Sequence, residues 1–182
     1  MEIRASVGNL SRNDSNNNEF IISGYAIKWG KLSNEIYEDG KSFKERIRKG
    51  AFAASIKRAN QLALCNHLER ERIGSAKDGT LFLEEDDIGL FFRIILPEND
   101  YGEKVYQKVE RRSLPNVSIC FSMQEEVWKT RGKRRYRTVR KAILKEISLV
   151  RMPAHENTIV VTGDRQQELT EAHEWDEFIR NS

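Results

Sequence analysis

Ser118, His67 and Glu146 are the residues of this chain from which an acyl transfer can be assembled. A serine hydroxyl is a weak nucleophile until a base within hydrogen-bond reach removes its proton. Imidazole does this best when a carboxylate fixes its tautomer and stabilises its charged form. His67 stands at the end of an apolar run, Ser118 lies inside an alternating run, and Glu146 sits between apolar residues of a third. The plainer reading stands beside this one: most serines flanked by apolar residues are structural, and a lone histidine at a strand end is usually a hydrogen-bonded surface group.

Other side chains compete for these roles. His155 follows Met152-Pro153-Ala154 and is either a second imidazole of the site or a loop residue. Cys120 should share the face of Ser118, but no adjacent cation would hold it as thiolate, which leaves it a weak nucleophile. The chain has no glycine-rich phosphate loop, no His-Glu-x-x-His pair and no calcium loop. Its two cysteines and three histidines form no close-spaced zinc pattern, so neither metal nor cofactor is expected. Cys65 and Cys120 are expected to be buried free thiols rather than a disulfide.

Three elements must position the candidate residues. Val117, Ile119, Phe121 and Met123 alternate with Ser118, Cys120, Ser122 and Gln124, the period of a strand with one apolar face. That strand is expected to run to Trp128, turn at Gly132 and return over Arg135 to Leu149, carrying Glu146 on the face of Leu144 and Ser148. Leu62 to Asn66 reads as a short strand that delivers His67. Before it come a first strand over Glu2 to Gly8, a strand over Phe20 to Trp29, a surface loop over Gly30 to Gly40 and a helix from Ala51 to Ala59. After it, Thr80 to Glu85 and Leu90 to Leu96 read as a hairpin. Asp100 and Glu103 form a capping-box pattern that opens a helix ending near Arg111. Thr158 to Thr162 is a last strand, and Leu169, Ala172, Trp175 and Ile179 trace a helical stripe in an acidic tail.

With 182 residues, the chain is long enough for one domain with a substantial core. The charged fraction of 32% and apolar fraction of 38% are ordinary for a soluble protein. No apolar run approaches the roughly 18 residues of a membrane span, and the amino terminus lacks the core of a secretion signal, so a cytosolic chain is expected. The net charge of +3 does not by itself imply nucleic acid. Lys129 to Lys141 holds eight basic residues and no acidic one, but it alternates in strand fashion and reads as a solvated hairpin face. The nucleic-acid alternative also wants exposed aromatic platforms between the charges, and few are present.

Six segments in a fixed order resemble the prohead proteases of tailed bacteriophages, the HK97-type family. They are Gly24-Tyr25-Ala26, Glu45-Arg46-Ile47 leading to Gly50-Ala51-Phe52, and Asn66-His67 with Ile73-Gly74 beyond. Asp87-Ile88-Gly89-Leu90, Val117 to Phe121, and Glu146 to Val150 before Pro153-Ala154 complete the set. The resemblance implies an α+β, β-rich fold like that of the herpesvirus assembly proteases, a small mostly antiparallel β-barrel surrounded by helices. The resemblance covers roughly Phe20 to Val161 and implies a protease domain, taken as 1–164, while the acidic stretch with its helical stripe is read as a tail over 165–182. The chain departs from the family pattern at Arg112-Ser113-Leu114-Pro115, where members commonly carry a glycine-containing turn.

By the same resemblance the activity is that of a serine endopeptidase, with Ser118 as nucleophile, His67 as base and Glu146 as third member. His155 is the alternative third member, because herpesvirus relatives use a second histidine there. The loop from Arg151 to His155 corresponds to the oxyanion region, with Arg151 as an auxiliary positive group. Implied partners are the major capsid protein, a scaffold protein, or both, with a homodimer or higher assembly of the enzyme. The implied setting is the host cytoplasm, inside an assembling procapsid, with self-processing. A noncatalytic capsid-assembly or scaffold-binding protein with a structural Ser118 is the alternative from another class.

Overall fold

The computed structural model describes residues 19–152 and, as backbone only, 159–162. The expected first strand at Glu2 to Gly8, the acidic tail over 165–182 with its helical stripe, and His155 all lie outside the described residues. Phe20 to Trp29 forms β1 (Ile21–Lys28). Next come β2 (Ile36–Glu38) and β3 (Lys41–Ile47), an antiparallel hairpin whose first strand lies inside the surface loop expected over Gly30 to Gly40. Phe43, Glu45 and Ile47 are buried with a period of two, and the carboxylate at the middle position hides that period.

The helix expected over Ala51 to Ala59 shrinks to one turn, α1 (Ala53–Ile56). Positive φ at Gly50 and Ala59 brackets the segment, and its polar groups serve a neighbouring strand instead of a longer helix. The strands β4 (Leu62–Cys65) and β5 (Leu68–Ser75) follow as an irregular antiparallel hairpin. The hairpin of β6 (Leu81–Glu85) and β7 (Gly89–Ile95) lies where the turn signals put it. The helix α2 (Asp100–Glu110) begins as expected but is capped by Asn99, whose side chain accepts from the N–H groups of Tyr101 and Gly102 at 3.0 Å. The long β8 (Asn116–Arg131) and β9 (Arg134–Val150) form a hairpin around Gly132, and β10 (Ile159–Thr162) closes the series.

These strands do not close into the expected barrel. One sheet has the order β10-β1-β7-β6, and the other runs β2-β3-β9-β4-β5 with β8 paired to β9. Among the described residues no ladder joins the two, so each keeps its own edges. The second sheet is mixed, because β3 and β4 both lie parallel to β9. The cause is the length of β9: β8 pairs along one edge, while β3 takes Tyr136 to Val139 of the other and β4 takes Glu146 to Leu149. Between them Ala51 O accepts from Ala142 N–H at 2.9 Å and Ser55 Oγ from Leu144 N–H at 3.1 Å. The short α1 segment thereby satisfies a stretch of strand edge that neither β3 nor β4 reaches, as buried backbone donors require.

The core fills the space behind β8 and β9 with Ile22, Ala26, Ile47, Phe52, Ile73, Leu90, Phe92, Leu144, Ile147 and Leu149. Burying each large aliphatic or aromatic side chain stabilises the fold by about 1.5 to 3 kcal/mol. Val117 is fully buried, and Ile119, Phe121 and Met123 pack on this core, as the alternation predicts. A bulge at Lys145 changes the facing of β9. Cys120 pairs with Glu146 while Phe121 pairs with Leu144, so Glu146 shares a face with Ser148 but not with Leu144. Without that extra residue, alternation would leave the buried leucine and the carboxylate on one side.

Candidate active site

His67 is placed by a turn that the sequence reading missed. Cys65 pairs with Leu68, so Asn66 and His67 are the two residues of the β4–β5 connection, at φ of 54° and 60°. Two-residue hairpins use turns with positive φ at both central positions, for which Asn-Gly is the favoured sequence. Asn66 suits the first position and could have signalled the turn. At the second, an imidazole stands where glycine would be least strained. The N–H of Asn66 donates to Leu149 O at 2.9 Å, which extends the β4–β9 ladder and pins the turn beside β9.

The turn aims the imidazole at β9. His67 Nδ1 lies 2.6 Å from Glu146 Oε1, and the same oxygen accepts from Ser148 Oγ at 2.9 Å. The Glu146 side chain is 17% exposed and that of His67 is 44% exposed, so the pair sits at the sheet surface with the carboxylate end covered. With Nδ1 engaged by the acid, Nε2 is the nitrogen left to meet a nucleophile. This is the arrangement by which a carboxylate selects the tautomer of a general base.

Ser118 lies on the same face. Its cross-strand partner is Ser148, and that of Cys120 is Glu146, so β8 presents its hydroxyl beside the residues that hold the carboxylate. Opposed residues in an antiparallel pair place their Cβ atoms about 4.5 to 5.5 Å apart. Among the described residues Ser118 Oγ makes no hydrogen bond, so the bond from Ser118 to His67 is unmade in this structure. The strand of Ser118 also borders a cleft of about 180 Å³ lined by Ile27, Val117, Ile119, Phe121 and Arg137, whose β8 residues belong to the apolar face that alternates with the Ser118 side chain.

The remaining candidates separate from this group or lie beside it. Arg151 is exposed, and its carbonyl accepts from Asn116 Nδ2 at 2.9 Å, which ties the end of β9 to the start of β8. Beyond Met152 the expected oxyanion loop, with His155, is outside the described residues. Both cysteines are free, but only Cys65 is buried; Cys120 is exposed on the face of Ser118. Burial pushes the Cys65 thiol above its ordinary pKa, away from the reactive thiolate. No group of histidines, cysteines and acids among the described residues could hold a metal ion. Ser148 is the site residue the sequence reading left without a role; its polarity within an apolar strand was the signal.

No curated protein matches the chain. Among solved structures, KSHV protease in complex with a hexapeptide phosphonate inhibitor is similar, with a TM-score of 0.45, 14% identity, and coverage of 80% of this chain. The match takes in 65% of that protease chain, less than two thirds of its length. Residues 8–173 match the model of the Caudovirus prohead serine protease family, and the chain therefore belongs to that family.

Proposed function

We propose that this chain is a serine endopeptidase of prohead maturation in which Ser118 is the nucleophile, His67 the general base and Glu146 its orienting acid. The observation that carries the assignment is the 2.6 Å contact between His67 Nδ1 and Glu146 Oε1 on the sheet face that bears Ser118. Family membership supplies the reaction class.

His67 Nε2 takes the Ser118 proton as Oγ bonds to a peptide carbonyl carbon, giving a tetrahedral oxyanion. Its collapse breaks the C–N bond, the amine leaves with the proton from His67, and an ester to Ser118 remains. Water, deprotonated by the same imidazole, then adds to the ester; the second collapse releases the acid and restores the hydroxyl. Throughout, Glu146 holds the ring and offsets its positive charge. Backbone N–H groups of the segment from Arg151 to His155 stabilise the oxyanion, with the Arg151 guanidinium as auxiliary charge. The bond from Asn116 to Arg151 supports this reading, since it holds Arg151 near the start of the strand that carries Ser118.

The unmade contact between Ser118 and His67 fits an enzyme that completes its site on assembly; catalytic hydrogen bonds often tighten only with substrate bound. The substrates are the scaffold protein or a scaffold-like segment of the major capsid protein, together with the enzyme's own chain. The enzyme works as a homodimer or higher assembly inside the procapsid, in the host cytoplasm. Residues 1–164 are the protease domain, and 165–182 form its targeting or removable tail.

Co-expression with the cognate major capsid protein, read by intact mass, tests this reading. Wild type should shorten the capsid or scaffold protein and itself, whereas Ser118→Ala should leave both at full length. Equal processing by Ser118→Ala would refute the assignment, and unprocessed but assembled shells with wild type would favour a noncatalytic assembly protein.

A further inference from the structure

We propose that Ser148 is a positioning residue for Glu146, so that the site works as four residues in a row; the proposal rests on the reading of Ser118, His67 and Glu146 given above. Ser148 is completely buried, and a buried hydroxyl needs a partner for its proton. That partner is Glu146 Oε1 at 2.9 Å, the same oxygen that faces His67 Nδ1. One carboxylate oxygen therefore accepts from two sides, and the second donor fixes where the first must come.

The donor is held more firmly than the group it holds. Ser148 stands at the centre of the sheet, paired across to Ser118 of β8 on one edge and to Leu64 of β4 on the other. Both ladders fix its main chain. Glutamate, by contrast, has one more torsion than aspartate, and an unanchored carboxylate would lose more freedom on binding the ring. Ser148 removes that freedom before the substrate arrives.

The bond also acts on charge. A hydroxyl that donates to a carboxylate favours its ionised form. Among the described residues the titratable or charged groups of this face are His67 from the turn, Cys120 from β8 and Arg72 of β5, which pairs with Leu64, while β4 contributes Leu62 and Leu64, which are apolar. Without the Ser148 donor, the carboxylate faces His67 with less of its charge offset and less of its orientation fixed. The pH profile of the reaction therefore reports on this bond, whereas a hydroxyl that only fills space would leave the profile in place.

The test follows the rate at which a fluorophosphonate labels Ser118 in the assembled full-length protein between pH 5 and pH 9, for wild type and Ser148→Ala. The labelling constant should fall about tenfold at neutral pH, as for loss of one hydrogen bond to a charged group. The midpoint of the acid limb should also move relative to wild type. Ser148→Cys retains a similar volume with a weaker donor, so its midpoint should lie between the two, and it serves if the alanine variant does not fold. A folded variant with an unmoved midpoint would overturn the role of Ser148 while the nucleophile assignment stands. Absence of any adduct at Ser118 in wild type would overturn both.

Discussion

Nδ1 of His67 and Oε1 of Glu146 meet at 2.6 Å although 79 residues separate them in the chain. The turn after β4 and the parallel pairing of β4 with β9 bring them together, so the contact depends on fold and not on sequence proximity. Glu146→Gln keeps the shape but can present an amide N–H to the ring and favour the wrong tautomer. Turnover should fall by about 10⁴, the effect of the equivalent change in a serine protease triad, with thermal stability nearly unchanged. Steady-state cleavage and a melting curve on the same preparation check both halves.

The position of His67 predicts a conflict between activity and stability. At φ of 60° a residue with a β-carbon is strained, while glycine is not. Both His67→Gly and His67→Ala should be inactive, but the glycine variant should be more stable than the alanine variant by about 1 kcal/mol, because the turn needs a left-handed residue there. Urea denaturation of the two variants measures the difference; equal midpoints would show that the turn relaxes.

Much of this site was legible because its signals are local. The alternation from Val117 to Gln124 marked the strand of Ser118 and its polar face, and the apolar run ending at Asn66 marked the strand before His67, though not the two-residue turn that holds it. The bulge at Lys145 was not legible, since nothing in Leu144-Lys145-Glu146 says that one residue is skipped in the ladder. Nor was sheet closure. Parallel pairing of β3 and β4 with β9 joins segments far apart in sequence, and short-range periodicity carries no information about it. The basic run misled in a different way. Arg137 looks like its exposed neighbours, yet its side chain is 15% exposed and bonds to Glu45 Oε2 at 2.6 Å.

That pair gives a stability prediction. Glu45 is 2% exposed, and Arg137 also bonds to Glu38 at 3.2 Å and lies over the Phe43 ring. Arg137→Met keeps most of the volume but leaves the Glu45 carboxylate buried without this cation. Breaking a buried pair in this way costs about 3 to 5 kcal/mol. The double variant Arg137→Met with Glu45→Gln should recover much of that loss in a denaturation cycle. Replacing the neighbouring exposed Arg134 should change little.

Glu85 supplies a dependence on pH. Burial raises its pKa, outweighing the Phe52 N–H donated to Oε1 at 2.9 Å. Because the folded state holds this proton more tightly than the unfolded chain, its contribution to stability is greatest below the ordinary carboxylate range. That contribution is lost as pH rises through the folded pKa, which lies above the ordinary carboxylate value. Glu85→Gln should flatten this part of the stability curve. Melting temperatures from pH 4 to pH 7 for both proteins test it, and parallel curves would assign the slope to other groups.

Activation of Ser118 by His67 is read most directly from the site of covalent labelling. Assembled protein treated with a fluorophosphonate and mapped by peptide mass should carry one adduct, on Ser118, in wild type and none in His67→Ala. An adduct on another residue, or equal labelling of Ser118 without the imidazole, would contradict the account.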